Sequence, residues 1–282
     1  MKQDRIPTDQ TRPAVLAAIE QYEREGAFDR HADPVDESIV IPVTPDFPYV
    51  PRTLTKRLRY FFSRRFIVYP FAKKVSEKMF CTVVKGKEHL QGIGAAILTC
   101  NHVDKFDCLV VQHACKPNRP FVVAAPFNNM RGSFGDHMRA GGMLPLGSDL
   151  ATIRKFTAAV KHYLSRGKRI LIYPEQAMWW HYEKPRPYKD GAFDLAARNG
   201  VPVVPCFITF RGTGVFDGNG IEQKHFTLHI MPPLYPKKEL SFRENVAFLR
   251  DENMRMCKRK YKEVYGKDPE YTTEQSNATA TL

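Results

Sequence analysis

No stretch of this 282-residue chain holds the run of about 18 apolar residues that a membrane-spanning helix needs. The opening, MKQDRIPTDQ, has no apolar core of the kind a secretory signal carries, so no signal peptide is expected. Cysteine is sparse and scattered. Cys81, Cys100, Cys108, Cys115, Cys206 and Cys257 form no CxxC pair and no Cys/His zinc spacing. Several sit in apolar runs, where a buried free thiol is the ordinary outcome. A reducing cytoplasmic compartment is therefore expected, with no metal centre. There is no repeat at a solenoid period and no RNA-binding signature. Acid is also in deficit: 30 Asp plus Glu stand against 43 Lys plus Arg, a net charge of +13. So basic a chain expects an anionic partner, whether nucleic acid, a membrane surface or a phosphorylated substrate.

What is present reads as a folded chain. Hydrophobic residues make up 43% and charged residues 26%, which excludes a mostly disordered chain or a polytopic membrane protein. Residues 1–52 form an N-terminal helix and a proline-rich arm. The helix is expected over 12–25, with Val15, Leu16, Ile19 and Tyr22 on one face and Gly26 after it. Pro34, Pro42, Pro45, Pro48 and Pro51 then demand an extended linker or wrapping arm. Residues 53–80 carry Lys56, Arg57, Arg59, Arg64, Arg65, Lys73, Lys74 and Lys78 against a single acid, Glu77. Leu58, Phe61, Phe62, Phe66 and Tyr69 share a helical face there, and Pro70 is expected to break or kink the helix. This is a basic amphipathic segment suited to docking on an anionic membrane. Its aromatic face could instead pack on its own domain. An aromatic–basic mixture also suits single-stranded nucleic acid, which is not the partner expected here.

Residues 81–240 alternate. Strands are expected at Cys81–Val84, Ala95–Cys100, Phe121–Ala125, Arg169–Tyr173, Val203–Phe210 and Phe226–Met231. Helices are expected at Asp107–Cys115, Leu150–Ser165 and Ala192–Arg198. That alternation predicts an α/β fold, a mostly parallel central sheet flanked by helices. Lys161, His162 and Tyr163 read as a solvated helix face. In 241–282, Ser241-Phe-Arg-Glu244 is a capping box opening a helix to about Tyr265, followed by a tail expected to be disordered over its last dozen residues.

One run could carry chemistry. Ala95-Ala-Ile-Leu-Thr-Cys-Asn-His102-Val-Asp-Lys-Phe-Asp107 sets a histidine just past a buried strand and a carboxylate at the start of the next helix. Ligands bind at the carboxyl ends of strands in such sheets. A histidine there can take a proton from a hydroxyl, and Asp107 can hold its other ring nitrogen. The spacing alone is weak: with 9 His and 15 Asp, chance gives roughly 0.5 such pairs. His31 and Asp36 form a second pair in the proline-rich arm, with no strand before it, and read as a decoy. Asp104 reads as a helix cap. His113 should face away from Asp107, so a complete metal site with His102 and Asp104 is not expected.

Order along the chain lifts the signal. Val84-Lys-Gly86-Lys-Glu-His-Leu90 lies upstream of His102. Downstream come Gly141-Gly-Met-Leu-Pro-Leu-Gly147, Ile170-Leu-Ile-Tyr-Pro174-Glu175, Lys189-Asp-Gly191-Ala-Phe193 and Gly200-Val-Pro202-Val-Val-Pro205. The series, from Val83 to Phe210, resembles the glycerolipid acyltransferase family, the 1-acyl-glycerol-3-phosphate acyltransferases and relatives. Their blocks run NHxSxxD, GxIFIxR, FPEGTRS and VPIVP, with an xGxENL lead-in and a KxGAF element.

The resemblance implies direct acyl transfer to an alcohol from a thioester, acyl-CoA or acyl carrier protein, with no further cofactor, no metal and no acyl-enzyme. It implies His102 as general base, Asp107 as its orienting partner, and Glu175 holding acceptor or active-site geometry. The acceptor would be a lipid hydroxyl, and the enzyme would sit peripherally on the cytoplasmic face of a membrane in phospholipid biosynthesis. There are departures. Asp104 replaces a Ser or Thr. The block-two arginine position is Ser148, and the block-three arginine position is Met178. Arg154, Lys184, Arg186 and Lys189 are candidates to supply the missing charge, or else the acceptor lacks a phosphate. Trp179, with Trp180, offers an acyl-chain or acceptor wall, or plain loop packing. Two other readings stay open: an esterase or thioesterase using the same pair with water, and a non-enzymatic lipid- or nucleic-acid-binding protein on a degenerate fold.

Overall fold

The computed structural model describes residues 12–273. Its centre is a seven-stranded sheet of β1 (Val83–Lys85), β2 (Ala96–Thr99), β3 (Phe121–Ala124), β4 (Met143–Pro145), β5 (Arg169–Ile172), β6 (Val203–Phe216) and β7 (Glu222–Ile230). The order is β1-β7-β6-β2-β5-β3-β4. Every neighbouring pair is parallel except β6 with β7, which are antiparallel. The mostly parallel α/β architecture read from the alternation is therefore present.

Successive side chains of a strand point to opposite faces, and the core divides accordingly. Ile97, Ile170 and Val203 pack with Phe156, Val160, Phe193 and Leu249. Those four belong to α6 (Leu150–Leu164), α7 (Gly191–Asn199) and α8 (Phe242–Tyr265). Ala96, Leu98, Leu171 and Val204 pack with Val110 and Val111 of α4 (Asp107–Ala114) on the other face. Both faces being covered explains why β2 is apolar from Ala96 to Leu98 and wholly buried.

Local chemistry fixes the helix ends. The Asp149 carboxylate accepts from Thr152 N at 2.9 Å and caps α6. Ser241 and Glu244 close the expected capping box of α8. Gly86, in the family's lead-in block, has φ +76, and a Cβ there would lie 1.9 Å from the Ile230 carbonyl oxygen. Only glycine allows β7 to come that close.

Several expectations change. α1 (Arg12–Arg24) is a helix as read. The proline-rich arm wraps the molecule: Ile41 N donates to Asn129 O at 2.7 Å, and the Tyr49 hydroxyl to Pro145 O at 2.8 Å. Pro70 does not end the following helix. α2 (Leu54–Ser63) and α3 (Tyr69–Lys74) are joined by a π turn at Arg64–Val68, and a second π turn covers Val75–Met79. The widened turn ahead of Pro70 makes room for its ring against the preceding carbonyls. The aromatic face of this helix does not pack inward. Leu58, Phe61, Phe62 and Phe66 leave 47%, 58%, 54% and 62% of their surface exposed. β4 and α5 (Gly132–Ala140) were not expected, because a three-residue strand ending in proline carries almost no pattern. Tyr163 is buried and donates to Tyr49 O at 2.7 Å, so that end of α6 is not all solvated face. At the start of the tail expected to be disordered, Tyr271 is buried and Thr272 N donates to Glu23 at 3.0 Å, and the residues from 274 on lie outside the described residues.

Candidate active site

β2 stops at Thr99, and its direction is continued by a side chain. Asn101 Nδ2 donates to Ile208 O at 2.9 Å, and Ile208 N donates to Asn101 Oδ1 at 2.7 Å. The amide thus imitates two rungs of the β2–β6 ladder and fixes where the next residue, His102, leaves the sheet.

His102 meets Asp107 as the spacing implied. Nδ1 lies 2.9 Å from Asp107 Oδ2. A carboxylate oxygen only accepts, so Nδ1 carries the proton and Nε2 is the nitrogen left for a substrate. Asp107 is fully buried, whereas the His102 side chain is 22% exposed. Three more donors hold the carboxylate: Val103 N at 2.9 Å and Asp104 N at 3.2 Å on Oδ2, and the Tyr173 hydroxyl at 2.5 Å on Oδ1. The Tyr173 ring also stacks on the imidazole, with centroids 4.0 Å apart. Burial and the Asp107 charge push the Tyr173 hydroxyl well above its usual range, so it stays a donor. Asp104 does not cap α4 at the usual position; its carboxylate accepts from Phe106 N at 2.9 Å. Burial raises it to about 6. His113 turns away, as expected, and faces Glu77 at 3.0 Å.

Glu175 and Arg186 form a buried pair, 2.8 Å apart. Glu175 accepts from the backbone N–H of His102 at 3.2 Å and of Arg186 at 3.0 Å. The Arg186 guanidinium donates to the carbonyl of Ala177 and, at 2.8 Å, to that of Phe28. One ion pair thus joins the block-one loop, the block-three loop and the N-terminal arm. Trp179 N donates to His102 O at 3.0 Å, and His181 N to Val103 O at 2.9 Å, so the two loops run side by side.

The other candidate residues fall differently. Trp179 is fully buried; its Nε1 donates to Arg30 O at 2.8 Å, and Arg186 lies over its ring at 4.6 Å. Plain packing is the role observed, not an open wall. Arg186 has no free N–H face for a phosphate. Lys189 pairs with Asp29 at 2.9 Å, and Lys184 with Glu23. Arg154 lies exposed on α6 with no acidic partner among the described residues.

Sequence reading missed three groups. Tyr173 and Asn101 act through contacts with no local signal beyond their place beside the motif residues. His31 was set aside, yet the arm lays it against Phe127, with ring centroids 5.0 Å apart. Burial, then the nearby His102 and Arg186, push its imidazole below the ordinary range. Asp36 is turned away and accepts from Ser38 N at 3.0 Å.

Comparison with known proteins fits this geometry. Residues 81–209, the stretch that holds His102, Asp107 and Glu175, match the family described as Acyltransferase. The fold is similar to that of the 1-acyl-sn-glycerophosphate (LPA) acyltransferase PlsC from Thermotoga maritima. The TM-score is 0.55 at 16% identity, covering 93% of this chain and 97% of that one. No curated protein matches.

Proposed function

We propose that the protein transfers a fatty acyl group from acyl-CoA or acyl carrier protein to the hydroxyl of a glycerolipid or related membrane-associated acceptor. The observation that carries this reading is the His102–Asp107 pair, with Nδ1 engaged on a buried carboxylate and the imidazole itself partly exposed. Nε2 removes the proton of the acceptor hydroxyl as its oxygen attacks the thioester carbonyl. Asp107 stabilises the imidazolium that forms. The tetrahedral intermediate then expels the thiolate, which recovers the proton from His102. An alcohol and a thioester give an ester and a thiol, so the atoms balance without cofactor or acyl-enzyme. Glu175 and Arg186 keep the backbone of His102 in place.

The acceptor's character follows from which cations are free. The two arginine positions of the family blocks hold Ser148 and Met178, and Arg186, Lys184 and Lys189 have acidic partners. Arg154 is left to meet an acceptor phosphate.

Peripheral attachment to an anionic membrane completes the reading. No helix among the described residues is long and apolar enough to cross a bilayer. The helix through residues 54–79 offers exposed aromatics beside its cations. Each cation near an anionic surface contributes on the order of 1 kcal/mol, enough together for reversible anchoring.

The test is a lipid mass-spectrometry screen. Wild type and His102→Ala are incubated with acyl-CoA and acyl carrier protein donors and a panel of lysolipids, glycerol phosphate and glycolipids. An acylated product is expected from wild type alone. The same product from both proteins would remove His102 from the chemistry, and free fatty acid in place of ester would make the protein a hydrolase.

A further inference from the structure

The cations of the long helix are not treated alike. Arg59 pairs with Asp136 at 2.8 Å, and Lys73 with Glu77 at 3.9 Å. Arg57, Arg64 and Arg65 have no carboxylate partner among the described residues, and all three line one groove of about 340 Å³ together with Tyr60 and Tyr69. Arg64 is fixed there by donating to Ala140 O and by lying 5.1 Å over the Phe121 ring. Arg57, Tyr60, Phe61 and Arg64 follow one another at three- and four-residue spacing, a single helical stripe. The π turn at Arg64–Val68 adds a residue to the next turn, which brings Tyr69 rather than Val68 onto that stripe. Phe62 and Phe66 stand exposed nearby on the same helix, with stacked rings 5.9 Å apart. No lining residue of the groove belongs to the loops that carry His102, Asp107 or Glu175.

We propose that this groove is a specific site for the phosphate of an anionic phospholipid, held between the Arg57, Arg64 and Arg65 guanidinium groups while the neighbouring aromatics enter the acyl region. Guanidinium is the side chain that matches phosphate oxygens in paired hydrogen bonds. The tyrosine hydroxyls add donors, and the exposed rings put the site at a bilayer rather than in free solution. The proposal rests on the membrane reading above and sharpens it from diffuse attraction to a defined contact.

The test compares two charge-matched double variants of the full chain, Arg57→Gln/Arg65→Gln and Lys74→Gln/Lys78→Gln. All four positions are exposed and have no acidic partner, so both variants are expected to fold as wild type, checked by circular dichroism. Each is sedimented with phosphatidylcholine vesicles containing phosphatidylglycerol. The lysine variant is expected to bind at most about 30-fold more weakly than wild type, the loss of two diffuse charges, and the arginine variant about tenfold more weakly again. Equal weakening in the two would leave only diffuse charge and overturn the groove, with the membrane reading intact. Wild type that ignores anionic vesicles would overturn both. Coenzyme A that strips wild type from the vesicles at constant ionic strength would assign the groove to a soluble phosphate donor and overturn the lipid.

Discussion

Replacing Asp107 with asparagine separates two roles that the carboxylate plays at once. Oδ2 accepts from Val103 N, Asp104 N and His102 Nδ1, and the two backbone donors cannot reverse. The asparagine carbonyl must therefore sit at the Oδ2 position. Its NH2 then faces the Tyr173 hydroxyl, which can rotate its proton and accept. The His102 tautomer is preserved, and only the negative charge beside the imidazolium is lost. A hydrogen bond to a charged group exceeds a neutral one by about 1 to 2 kcal/mol, and the lost ion-pair attraction brings the total to roughly 2 to 3 kcal/mol. That corresponds to a fall in kcat of roughly 30- to 150-fold. His102→Ala, which removes the base, should fall about 1000-fold or more. The assay is thiol release from acyl-CoA under saturating acceptor, with thermal melting as a fold control. An asparagine variant as inactive as His102→Ala would mean that the tautomer inverts and that the backbone donors do not fix the side chain. Unchanged activity would refute the general-base role.

Three further outcomes follow from the same neighbourhood. Tyr173→Phe keeps the stacked ring but leaves Asp107 Oδ1 buried without its donor, so melting should show a loss of about 1 to 3 kcal/mol with kcat falling about tenfold or less. Burial raises the Asp104 carboxyl from the ordinary aspartate range to about 6, so the folded state holds its proton longer. Its contribution therefore falls as pH rises from about 4 to 6, by about 3 kcal/mol at most, and Asp104→Asn should be more stable than wild type at pH near 7 but not near 4, as read by melting at both. Gln176 stands where the family block has glycine and has φ +67. Gln176→Gly should raise stability by about 1 kcal/mol, a rise of a few degrees in Tm; a fall would mean that its side chain has a use.

Much of this was legible because it is local. Ser241 and Glu244 announce a helix start, and the alternation of strands and helices announces the sheet. His102 and Asp107 lie five residues apart, so sequence alone could pair them. What was not legible depends on residues far apart in the chain. Arg186 looks like one more surface cation until Glu175 and Phe28 O surround it. Tyr173 becomes part of the site only when β5 lies beside β2. Pro70 breaks an isolated helix, but here π turns on either side absorb it. His31 carries no signal in its own sequence, since only the path of the wrapping arm sets it near His102.

The Glu175–Arg186 pair bears on how the protein can be dissected. The match to the Acyltransferase family spans residues 81–209, yet the Arg186 guanidinium also donates to the Phe28 carbonyl, and the Trp179 indole to that of Arg30. A fragment trimmed to those boundaries would leave Arg186 Nη1 and the Trp179 indole without their acceptors beneath the histidine loop. A stable unit should therefore begin well upstream of its recognisable module, with the chain at Phe28 and Arg30 serving as a keel beneath the histidine loop.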